Sequence, residues 1–200
     1  MNNQKQLKSH DFPAVYQWLG INLNKLGCVM LDLAPLSVSH WLAQYSVTSY
    51  LQTLPLHISP DKERFWIDGW VAAQNPHITL LYGFLTEAKN LQPHIENVLS
   101  GWKLEEVEIE DIGFFESPYP DEKYWCIVAH IKTTPTLLEG HQRLEFLPHI
   151  NTFAGYRPHM TLCYLEPVPE EQRDHYIEDF RREWKGKKLG VLGINYGGNK

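Results

Sequence analysis

The tetrapeptides His77-Ile78-Thr79-Leu80 and His159-Met160-Thr161-Leu162 carry the groups best suited to chemistry: one H-x-T-Leu signature written twice, 82 positions apart. Successive side chains of a strand point to opposite faces, so each motif sets its His and Thr on one face and its apolar pair on the other. If two such strands face each other across a cleft, two imidazoles and two hydroxyls surround one point. That set suits cleavage of a phosphodiester. One neutral imidazole takes a proton from the attacking hydroxyl or water while a protonated one donates to the leaving oxygen. The threonine hydroxyls donate to nonbridging oxygens, where transition-state charge collects. An unperturbed histidine pKa of about 6.5 lets both forms coexist near neutrality, and the scheme requires no metal or cofactor.

A lone histidine in an apolar run is more often a packed core residue than a catalyst, so the duplication carries the argument. A near match, His57-Ile58-Ser59-Pro60, is flanked by Pro55 and Pro60, which oppose a ladder-paired strand, and reads as loop. Both full copies follow a proline, Pro76 or Pro158, which suits the first residue of a strand and puts each histidine where a strand meets a cleft. A zinc site is the chemical rival. Neither motif is H-E-x-x-H, so such a site needs ligands from elsewhere, such as Asp32 or His130, and it ranks below the metal-free reading. A cysteine nucleophile ranks lower still: Cys163 shares a strand face with His159 and Thr161, and its plainer role is a small cleft-side or core residue.

The elements that must hold these groups follow from pattern. Asp11 to Leu19 reads as a short helix, Gly27 to Leu33 as a strand, and Pro35 to Leu56 as a helix followed by irregular chain. Pro55 to Gly69 reads as loop. The first motif strand is Pro76 to Leu85, then a helix from Ala88 to Leu99 and a half-exposed strand from Leu104 to Phe115. A turn at Ser117 to Asp121 leads to a strand at Lys123 to Lys132 and a helix at Pro135 to Leu147. The second motif strand, Pro158 to Leu165, precedes a charged amphipathic helix, Glu170 to Trp184, and a last strand, Lys188 to Tyr196. Mixed-sign charges on that helix, from Arg173 to Glu183, read as a solvated face. Strands joined by turns favour antiparallel pairing. The fold class is α+β: bilobal, two mostly antiparallel β-sheet lobes around a central cleft with flanking helices.

Two hundred residues, 43% of them hydrophobic, are enough for one domain spanning the whole chain, with residues 1–26 as an N-terminal segment of unassigned role. The net charge of −6 argues against a long nucleic acid as partner, since a polyanion needs a basic surface, whereas a small phosphorylated ligand needs only local donors. Cys28, Cys126 and Cys163, an odd number in strand-like apolar runs, suggest reduced thiols in a cytoplasmic protein. No run approaches the roughly 18 apolar residues of a membrane span, and residues 1–9 lack a signal peptide's centre. Neither a membrane nor an obligate protein partner is expected.

The paired motifs resemble the 2H phosphoesterase superfamily, which includes bacterial RNA 2′,3′-cyclic phosphodiesterases of the RNA-ligase-like type. The likeness takes in the strand from Gly27 to Leu33 and the aromatic strand from Lys123 to Ile131. The extension Thr79-Leu80-Leu81-Tyr82-Gly83-Phe84 is most similar to phage anti-CBASS nucleases, which degrade the cyclic oligonucleotide messengers of bacterial immunity. This resemblance implies a metal-independent site in the cleft of a bilobal fold, with His77 and His159 as acid and base and Thr79 and Thr161 as phosphate donors. It does not say which histidine has which role. One departure counts: many RNA-processing members carry a basic residue soon after the second motif, and here Cys163-Tyr164-Leu165-Glu166-Pro167 follows.

The expected function is therefore cleavage of cyclic oligonucleotide messengers by a phage counter-defence enzyme acting in the host cytoplasm. The alternatives are a 2′,3′-cyclic phosphodiesterase acting on RNA ends or nucleotides and a sponge that binds cyclic nucleotides without turnover. Aromatic residues make up 12% of the chain. Tyr124, of opposite parity to a core-facing Trp125, and Tyr196, in a C-terminal flap, are expected to contact bases. Arg157 either approaches a phosphate or is a solvated charge.

Overall fold

The computed structural model describes residues 26–34, 76–116, 125–151, 155–165 and 169–197. The expected helix at Asp11 to Leu19, the stretches between Pro35 and Gly69, the turn at Ser117, His57 and Tyr124 lie outside them.

Six strands form one antiparallel sheet: β1 (Gly27–Leu33), β2 (His77–Phe84), β3 (Glu106–Glu116), β4 (Trp125–Ile131), β5 (His159–Leu165) and β6 (Lys188–Gly197). Their spatial order is β2-β1-β6-β3-β4-β5, with the two motif strands at opposite ends. The sheet curls until those two ends approach each other, so the α+β architecture of two antiparallel lobes around a cleft stands.

A fork between β3 and β6 opens the cleft. The two strands pair over only three residues each, Glu106 to Glu108 against Lys188 to Gly190. Beyond that ladder β6 runs along β1 and β3 along β4. The carbonyls of β3 past the fork need other donors. Helix α3 (Glu170–Trp184) supplies one: Arg181 donates to Ile112 O at 2.9 Å and to Asp111 Oδ1 at 2.7 Å.

One face of the sheet is apolar and covered by helices. Val29, Leu31, Ile78, Leu80, Ile112, Ala129 and Met160 are buried in a single core with Leu137 and Leu144 of α2 (Pro135–Leu144) and Ile177, Phe180 and Trp184 of α3. Arg173 of α3 lies 4.1 Å from the centre of the Phe114 ring, so a buried cation sits on an aromatic face. The outer side of α3 carries the expected mixed-sign pairs, including Arg182 with Asp179 at 2.6 Å and Lys187 with Glu183 at 2.6 Å.

Two helices depart from expectation for reasons of proline. The reading of one helix over Ala88 to Leu99 gives way to a 3-10 turn, Ala88–Leu91, followed by α1, Gln92–Val98. Pro93 lacks the N–H that a continuous helix would direct at Lys89 O, and Gln92 N–H takes that carbonyl instead. Helix α2 begins where expected, capped by the Thr134 hydroxyl accepting from Leu137 N–H at 3.2 Å, but ends at Leu144 rather than Leu147. Pro148 disfavours helical backbone in the residue before it.

Candidate active site

β2 and β5 begin in the same way. Pro76 and Pro158 cannot donate, yet each carbonyl closes its ladder: Leu33 N–H reaches Pro76 O at 2.7 Å and Ile131 N–H reaches Pro158 O at 2.9 Å. The next residue is in both cases the motif histidine. Cross-strand register then sets its neighbours, because directly opposite residues of an antiparallel pair project from the same face. Asp32 lies opposite His77 and Met30 opposite Thr79. His130 lies opposite His159 and Val128 opposite Thr161.

The interior strands extend this face towards the fork. On β6, Gly193 and Asn195 lie opposite Asp32 and Met30, and on β3, Asp111, Gly113 and Phe115 lie opposite His130, Val128 and Cys126. Asn195 Nδ2 donates to the Asp32 carboxylate at 3.1 and 3.3 Å.

His159 is fixed in one orientation and one tautomer. Its Nδ1 lies 2.9 Å from Arg157 O, and a carbonyl only accepts, so Nδ1 carries the proton and Nε2 keeps a lone pair. The edge of Phe115 meets its ring at 4.9 Å. Burial pushes the His159 pKa down, the bond to Arg157 O opposes this, and a charge on His77 pushes it down further. His77, exposed at the start of β2, is thus close enough to be felt across the cleft. Thr79 and Thr161 follow on the same faces. Tyr156 donates its hydroxyl to Thr79 O at 3.3 Å, and Thr161 Oγ1 lies 3.9 Å from Cys126 Sγ.

Behind β2, Tyr156 stacks on His141 of α2, with ring centroids 4.0 Å apart, and His141 Nδ1 donates to Leu80 O at 2.7 Å. Two consecutive carbonyls of the first motif, those of Thr79 and Leu80, are therefore held by side chains from outside the sheet.

Among the described residues no three His, Cys, Asp or Glu side chains converge as a metal site requires. Asp32 is engaged by Asn195, and His130 lies on the other lobe. Burial raises the Cys28 thiol to about 11, which disfavours the reactive thiolate.

A family model described as the 2′-5′ RNA ligase superfamily matches residues 51–194, well over half of the chain. The chain belongs to this superfamily. It is thereby a 2H phosphoesterase relative, and membership points to phosphodiester chemistry, either hydrolysis or ligation. No curated protein matches the chain. The matched span includes both H-x-T motifs of this superfamily member, strands β2 to β5 and the part of β6 up to Ile194.

Tyr196 is a correction. It is a residue of β6 opposite Val29, packed against the core on the helix side, with its hydroxyl 3.3 Å from Glu96 Oε1. The ladder with β1 continues through Gly197, so the segment is strand rather than flap, and Asn195 is the neighbour that faces the cleft. Sequence reading passed over Gly113, Phe115 and Asn195, and treated His130 only as a metal ligand. Gly113 had a signal: a glycine inside a strand marks a close approach. A Cβ there would lie 2.5 Å from His130 Nε2.

Proposed function

We propose that this protein is a metal-independent phosphodiesterase that cleaves small cyclic oligonucleotides, acting as a phage counter-defence enzyme in the host cytoplasm. The observation that carries the phosphodiesterase part is the meeting of the two sheet ends, with His159, its Nδ1 held by Arg157 O, on one side and His77 on the other. Three features favour the substrate: the similarity of the Thr79 to Phe84 extension, the net charge of −6, and the want of a basic residue directly after the second motif.

In this reading His159 is the base and His77 the acid. His159 Nε2 takes a proton from the attacking hydroxyl or water, whose oxygen bonds to phosphorus. The bond to the leaving ribose oxygen breaks, and that oxygen takes a proton from His77. The Thr79 and Thr161 hydroxyls donate to the nonbridging oxygens as charge builds there.

The test is incubation of purified protein, with excess chelator, against cyclic di- and trinucleotides and 2′,3′-cyclic nucleotides, with products identified by mass. Cleavage of cyclic oligonucleotides that is lost in His77→Ala and His159→Ala is the expected result. Activity confined to 2′,3′-cyclic nucleotides would move the protein to RNA-end metabolism, and binding without product would make it a sponge. Inhibition by the chelator that a divalent ion reverses would overturn the metal-free chemistry.

A further inference from the structure

His130 is the histidine of this site that the two-imidazole scheme does not use. It faces the cleft beside His159, and its ring lies across Gly113, with Nε2 pointing over β3 and away from β5. Phe115 meets it edge-on at 5.9 Å, as it meets His159. Among the described residues neither ring nitrogen of His130 has a hydrogen-bond partner, although the side chain is half-buried. A half-buried imidazole on the cleft face whose ring nitrogens have no hydrogen-bond partner among the described residues is suited to a ligand.

The charges around it favour an anion. His159 of β5 and the exposed Arg157 two residues before it present positive or protonatable groups, and both act on His130. From β3, Asp111 and Glu110 act in the opposite sense. Asp111 is already engaged by Arg181 at 2.7 Å and Lys185 at 3.7 Å, and Glu110 is exposed to solvent. Across the fork, no described residue comes within 4 Å of where a Cβ on Gly193 of β6 would stand.

We propose that His130, with Arg157 beside it, forms a second phosphate subsite about one strand spacing, roughly 5 Å, inward from His159, so that the preferred substrates carry at least two phosphates. The substrate class rests on the cyclic-oligonucleotide reading above, whereas the subsite geometry does not. A 2′,3′-cyclic mononucleotide has one phosphate and leaves this subsite empty. A cyclic dinucleotide has a second phosphate to place there.

The test uses two ligands that differ by one phosphate, adenosine 3′,5′-bisphosphate and adenosine 3′-monophosphate. They are titrated into the ¹⁵N-labelled full-length protein while the imidazole resonances are followed, with assignments from His130→Gln and His159→Gln. The His159 signal is expected to move with both ligands and the His130 signal with the bisphosphate alone. The bisphosphate should bind roughly ten- to a hundredfold tighter, the range of one hydrogen bond to a charged group, and His130→Gln should remove that advantage. Equal affinities for wild type, or an advantage that survives in His130→Gln, overturns the subsite. The wild-type titration stands even if the variant does not fold. Neither ligand is a cyclic substrate, so a wild-type protein that cleaves no cyclic oligonucleotide ends the proposed function without touching this result.

Discussion

Gly113 and Gly193 are cleft-facing strand glycines on the two sides of the fork, and the same substitution should act on them with opposite sign. A Cβ at Gly113 would lie 2.5 Å from His130 Nε2, 3.1 Å from Cδ2 and 3.8 Å from Cε1, whereas a Cβ at Gly193 meets nothing within 4 Å among the described residues. Carbon and nitrogen rest at about 3.5 Å or more, so in Gly113→Ala the ring must retreat by roughly 1 Å. Phe115 stands at its edge, and β5 lies beside it. Overfilling a packed site costs about 1–3 kcal/mol. Replacing a strand glycine by alanine otherwise gains about 0.5–1 kcal/mol, mainly through the unfolded chain. The gain is common to both variants, so the difference between them isolates the overfilling. At roughly 2–4 °C per kcal/mol for a chain of this size, Gly113→Ala should melt about 2–12 °C below Gly193→Ala, and Gly193→Ala at or above wild type. Thermal unfolding followed by circular dichroism measures both. A ring that escapes strain by swinging out of the cleft should instead lose the preference for bisphosphate over monophosphate. If Gly113→Ala melts as high as Gly193→Ala and keeps that preference, His130 does not lie on Gly113 and the subsite argument fails with it.

His77→Ala and His159→Ala should each lower kcat/KM by roughly 10²–10⁴-fold, and a loss below tenfold in either would remove it from proton transfer. Burial holds His159 below the ordinary 6.5, so the acid limb of kcat/KM should have its midpoint below that pH, and a midpoint above it would deny His159 the role of base. The same depression, shared by His130, means that the unfolded chain binds protons below about pH 6.5 that the native protein refuses. Stability should therefore decline as pH falls from 6.5 towards the native values, and a urea midpoint that is flat between about pH 7 and pH 5 would contradict the assignment. Tyr156→Phe keeps the stack on His141 but strips Thr79 O of its donor, a loss of about 0.5–1.5 kcal/mol in urea unfolding, while Tyr156→Ala should cost clearly more. Cys28, raised to about 11, should be alkylated at pH 8 at least about 100-fold more slowly than a free thiol of pKa near 8.5, read by peptide mass spectrometry; labelling at the free-thiol rate would show the strand open.

Element positions were legible because each strand here satisfies a local rule. β1 spans Gly27–Leu33 as its alternation indicates, and α3 spans Glu170–Trp184. The motif strands start one residue after their prolines for the reason that prolines suit strand starts. What local rules did not reveal was parity. In β3 the inward residues are Val107 and Ile109, then Ile112 and Phe114, with the register shift lying between Ile109 and Asp111. In β6 they are Leu189 and Val191, then Ile194 and Tyr196, with the shift opposite Asp32 and Leu33. Each shift turns the rest of its strand over. The first brings Gly113 and Phe115 to the cleft, and the second brings Asn195 and takes Tyr196 away. An extra residue in one strand has at best a faint mark in sequence: in β3 two successive acids, Glu110-Asp111, stand where strict alternation would have one, whereas in β6 Leu192 is a core-type residue that is nevertheless exposed and gives no mark.

The duplicated motif was legible for another reason, and its partners were not. The strand order β2-β1-β6-β3-β4-β5 reads the same from either end if β2 exchanges with β5, β1 with β4 and β6 with β3, so each H-x-T strand occupies the same place in its own half. That equivalence is what two copies of a tetrapeptide can announce. It says nothing of the strand next door, where the halves differ: Asp32, held by Asn195, stands beside His77, and His130, lying on Gly113, stands beside His159. A carboxylate beside one imidazole and a second imidazole beside the other give the two histidines unlike electrostatic surroundings. Two adjacent imidazoles cannot both be charged without mutual repulsion, and that repulsion falls on His130, whose pKa is lowered by burial and by the charge on His159, while burial and the charge on His77 lower that of His159. Exchanging the neighbours, Asp32→His together with His130→Asp, should therefore move the acid limb of kcat/KM to higher pH, because an aspartate opposite His159 favours its imidazolium form. An acid limb that stays in place in a folded double variant would assign the asymmetry to burial alone.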